Sequence, residues 1–348
     1  MAIDSTLILV TLIVVVALVF DYINGFHDAA NSVATVVATR VLTPFQAVLW
    51  AAFFNFTAAI PLLFWDEAGV AKTVGQGMVK MEVVSEYVLL AGLIGAIFWN
   101  LFTWYYGIPS SSSHALIGGY AGAAMVKVGL TQGFGHCMEA IVVSGWITTM
   151  TFIVVAPLLG LVLGYALMVA IYWMFRHSSP KKMDRWFRRL QLVSSGLFSY
   201  SHGSNDAQKT IGIITGVLLT AGYIKTFHVQ WWVVLAAFSA IALGTMSGGW
   251  RIVHTMGGKL TRLKPRGGFC AETAGAIAIL FPTYLKIPVS TTHVITGAIA
   301  GVGSIQRMKA VRWGLAKNIL WAWILTLPLS AAVGGLAFAF IHMVSGKQ

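Results

Sequence analysis

Long apolar stretches alternate with short polar ones along nearly the whole chain. Runs such as STLILVTLIVVVALVF and TMTFIVVAPLLGLVLGYALMVAIYWMF approach or exceed the roughly 20 apolar residues a helix needs to cross a bilayer. The pattern predicts crossing segments over about 5–39, 45–64, 141–175, 191–221, 230–249 and 318–342. The stretches 87–127 and 268–304 read instead as helical hairpins. In the second, the arms FCAETAGAIAILFPTYL and STTHVITGAIAGVG are too short to span comfortably, so the hairpin is read as re-entrant. Polar residues interrupt the first segment at DYINGFHDAANS, which predicts a broken helix. The fold class that follows is an all-α polytopic membrane protein.

Two patterns recur. IPSSSSHALIGGYAG (108–122) and IPVSTTHVITGAIAG (287–301) agree at seven of fifteen positions, at an offset of 179. GFHDAANS (25–32) and GSNDAQKT (203–210) share Gly, Asp and Ala, at an offset of 178. The same order at nearly the same spacing argues for two homologous halves. Residues 1–175 form the first repeat, 191–348 the second, and 176–190 a basic connecting loop. Each repeat is read as one broken helix plus one re-entrant hairpin.

Charge sets the orientation. The segment RHSSPKKMDRWFRR (176–189) holds six Lys/Arg and one Asp, 251–266 holds five Lys/Arg, and 306–317 holds four. The 66–86 segment has two Lys and four acids. Short Lys/Arg-rich loops face the cytoplasm, which places the central loop inside. Threading the segments from there leaves sixteen Lys/Arg inside, five outside, and both termini outside. One half enters where the other leaves, so the repeats are inverted. That plan is common in transporters, with the site near the midplane. Composition agrees, at 57% hydrophobic, 10% charged and a mean hydropathy of +0.79, against roughly 25% charged in soluble domains. The net charge of +12 sorts by loop and does not suggest nucleic acid. The start, MAIDST, lacks a basic n-region and is not read as a cleaved signal. Cys137 and Cys270 suggest neither a disulfide framework nor a zinc site, and are read as packing residues.

Each hairpin tip reads Ile-Pro, then hydroxyl residues, then His, then a Gly-rich helix. Ser110, Ser111, Ser112 and Ser113 in one copy, and Ser290, Thr291 and Thr292 in the other, suit a helix N-terminus. Such an end offers free backbone N–H groups and partial positive charge to oxyanions. Two of them meeting at the midplane make a donor-rich cavity for a tetrahedral anion. The competing reading is that the hydroxyls only cap buried turns. Asp28 and Asn31 share a helical face, and Asp206 holds the matching place in the second half. Membrane-embedded carboxylates mark ion or proton pathways. Beside an anion site, they imply cations between them or protons carried on them. Asp206 and Lys209 also have the spacing of a structural ion pair.

GFHDAANSVATVVATR, GSNDAQKTIG, IPSSSSH and IPVSTTH together resemble the inorganic phosphate transporter (PiT) family over essentially the whole chain. The resemblance implies secondary uptake of inorganic phosphate across an inner membrane by a homodimer, with no cofactor. In the family's sodium-coupled branch the motif reads Gly-x-Asn-Asp-x-x-Asn in both halves. Here His27 replaces the first Asn of one copy, and Lys209 the last Asn of the other. These departures, with WNLFTW (99–104), resemble the bacterial proton-coupled branch and imply phosphate carried together with a divalent metal. Lys209 is then expected to stand in for one sodium ion and to attract phosphate. Asp28, Asn31, Asn205, Asp206 and Glu272 are expected to serve the coupling proton or cation, with Asp28, Asn31 and Asp206 as metal ligands. The expected coupling ion is H+, with Na+ as the alternative.

Glu272 reads equally as a proton carrier or a structural acceptor, and His114 and His293 as titrating groups or packed side chains. A sulfate permease of the same family is the nearest rival. Sulfate needs donors only, whereas the two Asp residues offer acceptors for a protonated phosphate oxygen. A membrane-embedded serine hydrolase built on Ser111 and His114 lacks a Gly-x-Ser-x-Gly elbow and leaves the second copy unexplained.

Overall fold

The computed structural model describes residues 5–65, 68–306 and 311–346. The first half runs through α1 (Ser5–Ala38), α2 (Pro44–Thr57), α3 (Ala59–Trp65), α4 (Gly69–Gly77), α5 (Glu86–Tyr105), α6 (Ser112–Gln132) and α7 (Val143–Met174). The second runs through α8 (Pro180–Thr220), α9 (Trp231–Ser247), α10 (Trp250–His254), α11 (Pro265–Tyr284), α12 (Thr291–Gln306) and α13 (Trp313–Ser345). Both halves present the same order: a long motif-bearing helix, an apolar helix, a short piece, a hairpin and a long closing helix.

Among the described residues, α1, the α2–α3 stretch, α5, α7 and α13 are long and apolar enough to cross a membrane, and a sixth span arises if α9 and α10, bent by 59°, are taken together. Large apolar side chains such as Val154 and Val162 on α7, and Leu336 and Phe340 on α13, point outward and are exposed. On this scale only an apolar surrounding tolerates them. The expected 191–221 span falls almost wholly in α8, which is not among the helices apolar enough to cross. Its middle carries Ser201, His202, Asn205, Asp206 and Lys209, all buried inside the protein.

The halves interlock. α12 lies along α7, and α13 along α6. Each hairpin therefore packs against the closing helix of the other half. α1 and α8 run through the middle, where both hairpins reach them.

Two expectations need correction. The motif helices are not broken: α1 continues unbroken through DYINGFHDAANS, and α8 through GSNDAQKT. Their glycines serve close approach instead. A Cβ on Gly25 would strike the Ile241 carbonyl, and one on Gly203 the backbone of Asn55. The connector is also shorter than 176–190. Pro180 opens α8 at a position suited to proline, and Met183 and Phe187 bury one face of its first turns. By length and composition α5 could span, whereas α12 has 16 residues.

Candidate substrate and cation site

The two hairpin tips are built alike. In the first, Ile108 N–H donates to Thr103 C=O and Gly107 N–H to Trp104 C=O, both at 2.9 Å. In the second, Ile287 donates to Pro282 and Lys286 to Thr283, again at 2.9 Å. This is a Schellman ending, which needs a left-handed residue after the helix. Gly107 (φ 66°) and Lys286 (φ 65°) provide it. An Ile-Pro step then leads to the next helix. Ser111 Oγ accepts from His114 N–H at 3.2 Å, and Ser290 Oγ from His293 N–H at 3.3 Å. The capping reading therefore holds for these two hydroxyls. The His114 and His293 rings meet edge to face at 4.8 Å, so the two helix starts converge.

Ser112, Ser113, Thr291 and Thr292 lie just past the caps, where backbone N–H groups have no partner inside the helix. Side chains from α1 and α8 reach them in matching ways. Asn31 Nδ2 donates to Thr292 Oγ1 at 2.9 Å and points to Thr291 Oγ1 at 3.4 Å. Its counterpart Lys209 donates to Ser113, the counterpart of Thr292. Lys209 Nζ also donates to Asp206 Oδ1 at 2.6 Å and to Val289 C=O at 2.9 Å. Its three N–H donors thus meet three acceptors, the full complement of an ammonium. Lys209 and Asp206 are 1% and 0% exposed, so this charge pair is sealed from water.

Asp28 accepts from Ser112 Oγ at 3.2 Å and lies 2.7 Å from His27 Nδ1. His27 Nε2 lies 3.1 Å from Thr103 Oγ1 and 3.4 Å from Ser110 Oγ, holding the first hairpin. Ser110 itself donates to Thr103 at 2.8 Å. Asn205, the counterpart of His27, holds the second hairpin. Its Nδ2 donates to Thr283 Oγ1 at 2.7 Å, and its Oδ1 lies 3.4 Å from the Val289 N–H. Asn205 is thereby committed to the tip.

Sequence reasoning missed His202. Its Nε2 lies 3.5 Å from Asp206 Oδ2 and 4.0 Å from Asp28 Oδ2. Ligand atoms of Asp28, His202 and Asp206 all fall within 4.8 Å of one another. His202 Nε2 and Asp206 Oδ2 hydrogen-bond to no protein atom among the described residues. One imidazole nitrogen with two carboxylates suits a divalent transition metal. The signal was present: NGFHD (24–28) and HGSND (202–206) exchange their His and Asn between copies. Asn31, expected among the metal ligands, instead reaches the second tip.

Glu272 stands apart. It accepts from Thr35 Oγ1 at 2.6 Å, Gln191 Nε2 at 2.9 Å and Ser194 Oγ at 2.5 Å. These bonds tie α11 to α1 and α8 two turns from Asp28, and they favour the structural-acceptor reading. Cys137 and Cys270 are unpaired thiols.

Because Ser113 and Thr292 accept from Lys209 and Asn31, their own O–H protons remain available to an anion. Ser113→Ala and Thr292→Ala should each raise the KM for phosphate about ten-fold or more, since hydrogen bonds to charged groups contribute about 1.5–3 kcal/mol. Ser111→Ala should chiefly cost about 1 kcal/mol of stability through the lost cap. Labelled-phosphate uptake checks this, and an unchanged KM in both tip variants removes the hydroxyls from the substrate.

Comparison with known proteins gives the family. The pattern of the phosphate transporter family matches residues 24–334. A Rhizobium meliloti (strain 1021) protein described as a "probable low-affinity inorganic phosphate transporter" is 51% identical over 345 residues, covering 98% of this chain and 100% of that one. A Bacillus subtilis (strain 168) protein of the same description is 44% identical, covering 98% and 99%. A solved sodium-dependent phosphate transporter superposes with a TM-score of 0.86 at 25% identity, covering 97% of this chain and 99% of that one. With a family match over residues 24–334 and relatives 51% and 44% identical over nearly its full length, the chain belongs to the phosphate transporter family.

Proposed function

We propose that this transporter imports inorganic phosphate by symport with protons, and that Lys209 is what dispenses with sodium. The single observation that carries this is the set of acceptors around Lys209 Nζ. A carboxylate oxygen (Asp206), a hydroxyl oxygen (Ser113) and a main-chain carbonyl (Val289) surround it. Carboxylates and freed carbonyls of this kind coordinate Na+ in transporters. Here a tethered ammonium occupies the place of a mobile ion. The solved neighbour is named as sodium-dependent; in this chain the fixed charge removes that demand.

Phosphate binds between the starts of α6 and α12, on the hydroxyls of Ser113, Thr291 and Thr292 and the adjacent backbone N–H groups. Asp28, His202 and Asp206 hold the positive partner, a proton or a divalent metal carried with phosphate. The two halves work as inverted repeats with re-entrant hairpins, in an inner membrane, as a homodimer. The central basic segment is cytoplasmic and both termini are outside. The sequence repeat, the loop charges and the family support these assignments.

The test is uptake into proteoliposomes with one gradient at a time. A proton gradient should drive accumulation in the absence of sodium. Suppose uptake persists with the proton gradient collapsed by an ionophore and sodium directed inward, yet stops when potassium replaces sodium. Proton coupling is then wrong.

A further inference from the structure

The tip of the second hairpin has another face. A cavity of about 1250 Å³ opens between α3, α4, α7, α8 and this hairpin. Lys72, Ser204, Gln208, Lys286, Ile287 and Pro288 contribute to its wall, and no carboxylate is among its described lining residues. Lys72 and Lys286 are both exposed to it.

Lys286 is an unusual choice where it stands. Its Schellman position favours glycine, and the first hairpin has Gly107 there. Among described non-glycine residues, only Arg40 and Lys286 have a positive φ. The surroundings are fitted to Lys286. Thr73 Oγ1 donates to its carbonyl at 2.8 Å. Gly69 makes room for its stem, since a Cβ there would collide with Lys286 Cγ. The start of α4 is itself pinned, with Val70 N–H donating to Gln208 Oε1 at 3.0 Å. A lysine is thus retained against its backbone preference, with its head group in a basin without carboxylates.

We propose that this cavity is an outer docking site for the phosphate anion, held by the ammonium groups of Lys286 and Lys72 before it passes the hairpin tip. The inference rests on the phosphate-transport reading above. Like charges lining a cleft with low-dielectric walls concentrate the oppositely charged substrate. The path onward is short. Lys286, Ile287 and Pro288 line the cavity, while the next residue, Val289, gives its carbonyl to Lys209 in the central cluster. Asn205 ties Thr283 and Val289 together at this point, so the tip is the partition between the two sites.

The experiment compares wild type, Lys286→Gly, Lys72→Gln and the double variant in labelled-phosphate uptake at low and high ionic strength. Lys286→Gly installs the residue that the first hairpin uses, so the folded protein should be at least as heat-stable as wild type. At low salt each single variant should raise KM about five-fold with an unchanged maximal rate, and the double variant should raise it further. Near 1 M salt, where the screening length is about 3 Å, the difference should shrink below about two-fold. If wild type transports and KM is unchanged in both single variants, the docking site is overturned. A KM increase that ignores salt also overturns it, because that signals a structural effect. If wild type itself takes up no phosphate, the transport reading falls first and this inference with it.

Discussion

Lys209→Met is expected to abolish phosphate uptake and to destabilise the folded protein, and adding Asp206→Asn should repair only the second defect. The pair is fully buried, and Lys209 gives all three of its donors to protein acceptors. Removing one partner of a buried pair leaves an uncompensated charge and costs about 3–5 kcal/mol. With methionine at 209, that charge is the Asp206 carboxylate. Asparagine at 206 removes it, so the double variant should regain most of the lost heat stability in detergent. Transport has a further requirement. Lys209 joins the two hairpin tips, through Ser113 on one and Val289 on the other. It also supplies the one fixed cation beside the proposed phosphate cradle among the described residues. Neither property returns in the double variant. If Lys209→Met transports at near wild-type rates, Lys209 is a structural ion pair and nothing more.

The sequence made the repeat legible because identical chemistry had to appear twice. Offsets of 178 and 179 residues pair Asn31 with Lys209 and Ser113 with Thr292. The structure joins those residues crosswise, Asn31 to Thr292 and Lys209 to Ser113. Pairing of like positions could be read from the chain; the crossing could not, because it depends on each hairpin packing against the other half. The motif helices were misread for a related reason. Polar residues and glycines inside an apolar run look like a break when the run is imagined facing lipid. Inside the bundle Gly25 and Gly203 admit neighbouring backbones, and the polar side chains face protein groups, His27 beside Asp28 and Lys209 beside Asp206. Glu272 could not be placed from sequence, since its three donors come from α1 and α8, far from it in the chain. His202 could have been found, by asking which residue had changed places with Asn24.

Asp28→Asn should stop concentrative uptake while leaving phosphate exchange across the membrane measurable. Asparagine keeps an oxygen to accept from Ser112, and the side chain keeps its volume, so the contact between α1 and hairpin one survives. What disappears is one negative charge facing His202 and Asp206. A cation held by two carboxylates and an imidazole loses one of its two anionic ligands, and a proton loses one of its two carriers. A symporter that cannot load its driving ion still binds and releases substrate, but it no longer accumulates it. Asp206→Asn should abolish accumulation too, with an added defect, because Lys209 loses its counter-charge. The two variants therefore separate coupling from cradle assembly. Asp28→Asn should lose accumulation on the order of 100-fold with heat stability near wild type, and Asp206→Asn should lose both. His202→Gln keeps both carboxylates and removes only the imidazole ligand. If a divalent metal travels with phosphate, this variant should weaken the dependence of uptake on added metal more than the dependence on the proton gradient. Accumulation by Asp28→Asn at a near wild-type rate would take Asp28 out of the coupling path and leave it as a partner for Ser112 and His27.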